Sequence, residues 1–111
     1  MNANLYDHLM YQMSVASDTP YELLTSARRF QPIVTARFIV WHYLYHRDDG
    51  YTLKRIGQLS GKDHTSVRHG INTIAEELKQ DRAETCVLYS RFLRLLADAA
   101  AAKSYKVFQT P

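Results

Sequence analysis

GKDHTSVRHG, residues Gly61 to Gly70 of the 111-residue chain, brings two glycines, a lysine, an aspartate, two histidines and an arginine into one short stretch. Its flanks decide how it folds. Upstream, Thr52 can cap TLKRIGQLS, about two helical turns that turn Leu53, Ile56 and Leu59 to one side. Gly61 permits a sharp turn and Asp63 is placed to be the next N-cap. Downstream, His64 to about Lys79 repeats Val67, Ile71, Ile74 and Leu78 at spacings of four, three and four, which leaves Thr65, Arg68, His69, Asn72 and Thr73 on the opposite face. Two helices around a very short glycine-containing turn form the pattern of a helix-turn-helix.

The rest of the chain also reads as helix. Apolar positions recur at three and four, and no Asn-Gly or Asp-Gly hairpin turn separates alternating runs. A first helix is expected over roughly Leu5 to Ser14, with Leu5, Leu9 and Met13 on one face. TPYELL, Thr19 to Leu24, reads as a helix start in which Thr19 accepts from the Glu22 amide and Pro20 occupies the first helical position. Pro32 can open the next helix, PIVTARFIVWHYLYH, which is apolar or aromatic around most of its circumference and therefore belongs in the middle of the fold. Arg47 to Gly50 ends it, with Gly50 available for a left-handed cap. A last helix is expected to start at Asp81 with Glu84 completing a capping box, and to run through Leu88, Phe92, Leu95 and Ala99. The expectation is an all-α chain forming one compact helical domain over residues 1–111, with its core in about 5–100.

Composition narrows the function. No run of about 18 apolar residues could cross a bilayer, and the N-terminus lacks the pattern of a secretory signal, so a soluble, cytoplasmic protein is expected. The lone Cys86, among apolar neighbours, reads as a small buried residue without a redox role. Residues 1–27 carry Asp7, Asp18 and Glu22 and no lysine or arginine. Residues 28–69 carry Arg28, Arg29, Arg37, Arg47, Lys54, Arg55, Lys62 and Arg68 against Asp48, Asp49 and Asp63, a net charge of +5. A positive middle third suits phosphates, and equally suits a solvated basic face.

GKDHTSVRHG invites three chemical readings. As a phosphate loop it fails on spacing: three residues separate Gly57 from Gly61, Asp63 stands where a magnesium-binding hydroxyl is needed, and no strand precedes. As a metal site it lacks ligands, because His42 and His46, four apart, and His64 and His69, five apart, are joined by no further nominated donor. No nucleophile and base constellation forms among Ser60, Ser66, Cys86 and the histidines, so neither enzyme activity nor a cofactor is expected. The third reading is nucleic acid. Hydroxyls, imidazoles and a guanidinium in the first two exposed turns of a helix are placed to meet base edges in a major groove, with Lys62 toward the backbone. Spacing alone fits that reading and a plain solvated helix face about equally.

RIGQLSGKDHTSVRHGINTI nevertheless resembles the signature of the C-terminal DNA-binding domain of the bacterial replication initiator DnaA, whose usual form is an isoleucine-glycine pair followed by Gly-Arg-Asp-His-Thr-Thr-Val and a continuing helix. ELLTSARRFQPIVTARFIVWHYL is similar to that domain's short helix, basic loop and central helix, and the resemblance covers roughly residues 5–100. It implies a Trp repressor-like, all-α domain that binds double-stranded DNA at a short asymmetric box, as a monomer, in replication or transcription control. By matched position, Arg29 resembles the arginine that enters the minor groove, and Arg37 resembles one that reads a guanine in the major groove. Lys62, Asp63, His64, Thr65 and Ser66 match signature residues that contact bases and backbone. Together with Arg28, Lys54, Arg68 and His69 they make up the candidate DNA-binding set.

Some positions depart from the family pattern. Lys62 replaces an arginine and loses the planar fork. Ser66 replaces a threonine, Arg68 adds a cation, and the loop before the central helix carries fewer cations than usual. Gly70 stands where alanine is common and should cost the helix up to about 1 kcal/mol unless close packing requires it. An ATPase motif is absent from these residues, so a stand-alone DNA-binding domain is expected. The alternative is a helical interaction module whose acidic N-terminal segment binds a replication initiation protein.

Overall fold

A computed structural model describes the backbone of residues 2–26, 31–48 and 50–109, with side-chain surroundings described within 5–100. It contains α1 (Asn2–Ala16), α2 (Tyr21–Leu24), α3 (Gln31–His46), α4 (Leu53–Ser60), α5 (His64–Lys79) and α6 (Ala83–Gln109), and no strand among the described residues. The all-α expectation holds.

α3 forms the core, as its nearly uninterrupted apolar sequence requires. Ile33, Ala36, Ile39, Val40, Trp41 and Leu44 are all buried. Around it pack Tyr6, Leu9, Met10 and Met13 of α1, Leu24 of α2, Ile56 of α4, Val67, Ile71 and Ile74 of α5, and Tyr89 and Phe92 of α6. Beside the centre of α3, the Trp41 Nε1–H donates to the Tyr6 hydroxyl at 3.3 Å, and burial raises the pKa of that phenol. Tyr43 meets Phe92 edge to face, and Arg47 lies over the Tyr43 ring at 5.8 Å.

Helix ends settle where the elements stop, and three differ from expectation. α1 runs two residues past Ser14, to Ala16, and is closed by Asp18, whose φ is +53°. Thr19 N–H then reaches the Ser14 carbonyl at 3.0 Å and Asp18 N–H the Val15 carbonyl at 3.2 Å, a Schellman closure with aspartate in the left-handed position. That closure fixes Thr19, whose hydroxyl donates to the Ser17 carbonyl instead of capping α2. Pro20 is therefore the cap residue and not the first helical one, and its carbonyl accepts from the Leu23 and Leu24 amides.

The same device ends α5. Asp81 has φ +54°, its N–H meets the Leu78 carbonyl, and Arg82 N–H meets the Glu77 carbonyl at 2.9 Å. Asp81 thus closes the preceding helix rather than capping α6, and Arg82, whose carbonyl accepts from Cys86 N–H, holds the position before α6. The buried Thr85 hydroxyl donates to the Glu77 carboxylate and ties the two helices together. Cys86, expected in the core, is only partly buried. No described helix is long and apolar enough to cross a membrane.

Candidate nucleic-acid interface

Five residues set the helix pair α4 and α5 and the turn between them. Thr52 accepts from the Arg55 amide at 3.0 Å and starts α4. Gly61, at φ +72°, ends it in the left-handed region that a side chain would strain. Lys62 N–H closes back on the Gly57 carbonyl at 3.0 Å. A β-carbon on Gly57 would stand 2.5 Å from the Lys62 carbonyl oxygen, so the turn folds over a position that only glycine can occupy. Asp63 then caps α5, accepting from the Ser66 amide at 2.9 Å, and this hydrogen bond holds its carboxyl below the usual carboxylate range. Asp63 therefore starts the helix, and the Ser66 amide is taken.

What the cap launches is a row of exposed side chains. His64, Thr65, Ser66, Arg68 and His69 are all exposed, Lys62 is half-buried in the turn, and Lys54 is exposed at the start of α4. On the inner side of the same helix, Val67, Gly70, Ile71 and Ile74 are buried. α5 packs more extensively against α3 than against any other element. Gly70 explains how the two helices come so close: a β-carbon there would lie 2.6 Å from Phe38 Cδ1 and 2.8 Å from Trp41 Cε3. Gly70 is thus a packing residue beneath the exposed row, and its place in the sequence marks the crossing of α3 under α5.

The crossing brings α3 residues out beside the row. Val34, Phe38 and Trp41 border a groove with Lys62, Thr65, Ser66 and His69. The His69 ring stands edge-on to Phe38 at 5.9 Å. None of Val34, Phe38 or Trp41 belongs to the candidate set. Their spacing in α3 is that of a core helix, and nothing local in the sequence says which turn of α5 they meet.

Arg37 also lines this groove, but its guanidinium is committed inward. The side chain is 7% exposed. Its Nε–H donates to the Leu24 carbonyl at 2.7 Å, and Nη2 donates to the carbonyls of Ser26 and, at 3.4 Å, Leu23. These carbonyls lie at and just past the C-terminal end of α2, where a cation is favoured. A free fork extended toward a base is therefore not its arrangement here; it joins α2 to α3. Arg28 and Arg29 lie outside the described residues.

The histidine pairs show no metal geometry. Among the described residues, no three His, Cys, Asp or Glu come together. His42 and His46 face each other at 4.4 Å, and His42 Nδ1 is 2.8 Å from the Tyr89 hydroxyl. Burial, with the neighbouring His46, pushes the His42 pKa down to about 4.

A glycine-hinged helix pair whose second helix shows a polar, cationic outer face, packed on a central apolar helix, defines a helix-turn-helix protein of the all-α class. The sequence profile described as "Bacterial dnaA protein helix-turn-helix" matches residues 11–74. The chain belongs to this family. It is similar to the chromosomal replication initiator protein DnaA of Thermomicrobium roseum, 38% identical over 81 residues, which are 72% of this chain and 17% of that protein. The DnaA of Roseiflexus castenholzii is 38% identical over 69 residues, 59% of this chain and 14% of the relative. That of Deinococcus deserti is 26% identical over 80 residues, 72% of this chain and 17% of the relative. The chain thus spans less than a fifth of the length of the relatives it matches.

Proposed function

We propose that this chain binds double-stranded DNA sequence-specifically, at a site like a DnaA box, and through it controls replication initiation or transcription. The observation that carries this reading is the exposed row His64, Thr65, Ser66, Arg68 and His69, fixed by the Asp63 cap and the Gly61 turn in a chain whose relatives are replication initiators. The first two turns of such a helix enter the major groove, where imidazole, hydroxyl and guanidinium groups meet base edges and the threonine methyl meets thymine. Lys62 and Lys54 neutralise phosphates at the borders. Arg28 and Arg29, by resemblance, reach the minor groove. Arg37 contributes by holding α2 and the start of α3 in place. Residues 5–100 act as one DNA-binding unit, and the resemblance supports a monomer on each site.

Fluorescence anisotropy with a DnaA-box duplex and a scrambled duplex at one fixed salt concentration tests the reading. The box should bind more tightly, and His64→Ala and Thr65→Ala should each cost about 1–3 kcal/mol on the box alone. Lys62→Ala should weaken both duplexes and lower the salt slope by about one. Equal affinity for both duplexes would sink the claim of specificity.

A second reading rests on a different surface. Tyr11 and Val15, 57% and 50% exposed, stand on α1 between the exposed Asp7 and Asp18. This acidic, partly apolar strip fits a helical module that binds a replication initiation protein. Retention of such a protein by a His64→Ala/Arg68→Ala variant that holds no DNA would favour it.

A further inference from the structure

α6 has a face that the described residues leave uncovered. Thr85, Tyr89 and Phe92 are buried on its inner side. The outer side carries Ala83, Val87, Ser90, Arg94 and Ala97, all exposed and spaced four, three, four and three. That alternation is the seam of a helix that lies along another helix. Val87 is 50% exposed, and Leu93, beside the seam, is 45% exposed. A shallow groove runs here, lined by Cys86, Val87, Ser90, Arg91 and Arg94. None of these residues belongs to the exposed row of α5 or to the acidic strip of α1, and neither reading above uses them.

The flanks of the seam identify the second helix. On one flank the exposed charges run Glu84, Arg91, Asp98; on the other lie the partly buried Cys86 and the exposed Leu93 and Ala100. A two-fold axis perpendicular to a pair of antiparallel copies keeps each flank on its own side, so charged flank meets charged flank and apolar meets apolar. A parallel pair would set each charged flank against an apolar one. We infer that this face of α6 pairs antiparallel with the same face of a second copy, about an axis midway between Val87 and Ser90. Val87 then faces Ser90 of the second copy, with the Arg91 stem of that copy along it. Ala83 faces Arg94 of the second copy, and Leu93 lies over its Cys86. Arg91 and Arg94 bracket Glu84 of the second copy, and symmetry makes every contact twice. Sliding one helix by a heptad toward the C-terminal halves sets Arg91 beside Arg91 and Glu84 beside Asp98, which repel. The order negative, positive, negative therefore selects one orientation and one register, and the complement it requires is its own copy.

The pair shares no residue with the exposed row of α5, so on the DNA-binding reading it joins two copies that each hold their own site. Its test needs no DNA, and its failure leaves that reading untouched. Cys86 is the one cysteine of the chain. In the pair it lies roughly 9 Å along the axis from Cys86 of the second copy, too far for a disulfide, whereas position 93 lies over it. Under mild oxidation Leu93→Cys should run as a covalent dimer on a non-reducing gel, while wild type and Val15→Cys stay monomeric. Sedimentation equilibrium across roughly 10–500 μM reads the strength of the association. Glu84→Arg should weaken it about tenfold, because two bracketed carboxylates become two repelled cations. Adding Arg91→Glu and Arg94→Glu to Glu84→Arg should restore it to within about threefold of wild type. Circular dichroism establishes that the variants, all at exposed positions, stay folded. A wild-type chain that stays monomeric throughout, or an association that the triple variant does not recover, would overturn the inference. So would cross-linking of Val15→Cys in place of Leu93→Cys, which would seat α1 of the second copy on this face.

Discussion

Gly70→Ala tests the packing that puts the exposed row where it is. Helix propensity alone makes alanine better than glycine by about 1 kcal/mol within a helix. The structure reverses the sign. The new β-carbon would sit 2.6 Å and 3.0 Å from Phe38 ring atoms and 2.8 Å from Trp41. Phe38 is half-buried and can swing in part. Trp41 is 2% exposed and tied to Tyr6 through its N–H, so it yields only if α5 lifts from α3. Overpacking of this kind costs about 1–3 kcal/mol, and two rings in contact put this case near the top of that range. After the propensity gain, a net loss of about 1–2 kcal/mol is expected, a fall in Tm of roughly 5–10 °C. Urea unfolding of wild type, Gly70→Ala, Phe38→Ala and the double variant reads it directly. Removing the Phe38 ring should make Gly70→Ala less costly by about 1 kcal/mol, a coupling that independent sites would not show. A Gly70→Ala protein as stable as wild type, or more so, would refute the close-crossing argument.

Two further predictions concern groups away from the exposed row. Arg37→Ala should lower stability by about 2–3 kcal/mol in urea unfolding, because it strips a charged donor from the α2 carbonyls; loss of DNA affinity with an unchanged midpoint would return Arg37 to a reading role. His42 adds a pH dependence. Its folded pKa lies near 4, below the ordinary 6.5, so between these values the unfolded chain binds the extra proton and stability rises with pH. The stabilisation is complete above about pH 6.5 and is lost progressively as pH falls toward 4. With solvent screening of the half-exposed ring, its size is on the order of 1–2 kcal/mol. The difference in unfolding free energy between wild type and His42→Gln at pH 7 and pH 4.5 measures it, and an unchanged difference would rule out this linkage.

The local signals in the sequence carried far into the site. Thr52, Gly61 and Asp63 sit where capping chemistry and the left-handed turn require them, because a cap depends on residues within three positions of itself. The outward placement of Thr65, Arg68 and His69 followed from the period of Val67, Ile71, Ile74 and Leu78, whereas His64 and Ser66 were singled out by the resemblance. Local reading missed the left-handed aspartates that close α1 and α5, at Asp81 because aspartate there looks like an N-cap, and at Asp18 because Thr19 beside it looks like one. Choosing between the two roles depends on where the chain goes next.

By itself, then, the sequence determined that the chain is helical, that α4 and α5 pair around Gly61, and which side of α5 meets solvent: all are consequences of spacing and caps within one or two turns. Only the tertiary structure decided which α3 residues lie beside that face, why Gly57 and Gly70 lack side chains, and that Arg37 turns inward to α2. Each of these depends on the crossing of α3 under α5 or the docking of α2 on α3, and such contacts are set by the joint packing of surfaces far apart in the chain, which no local period records.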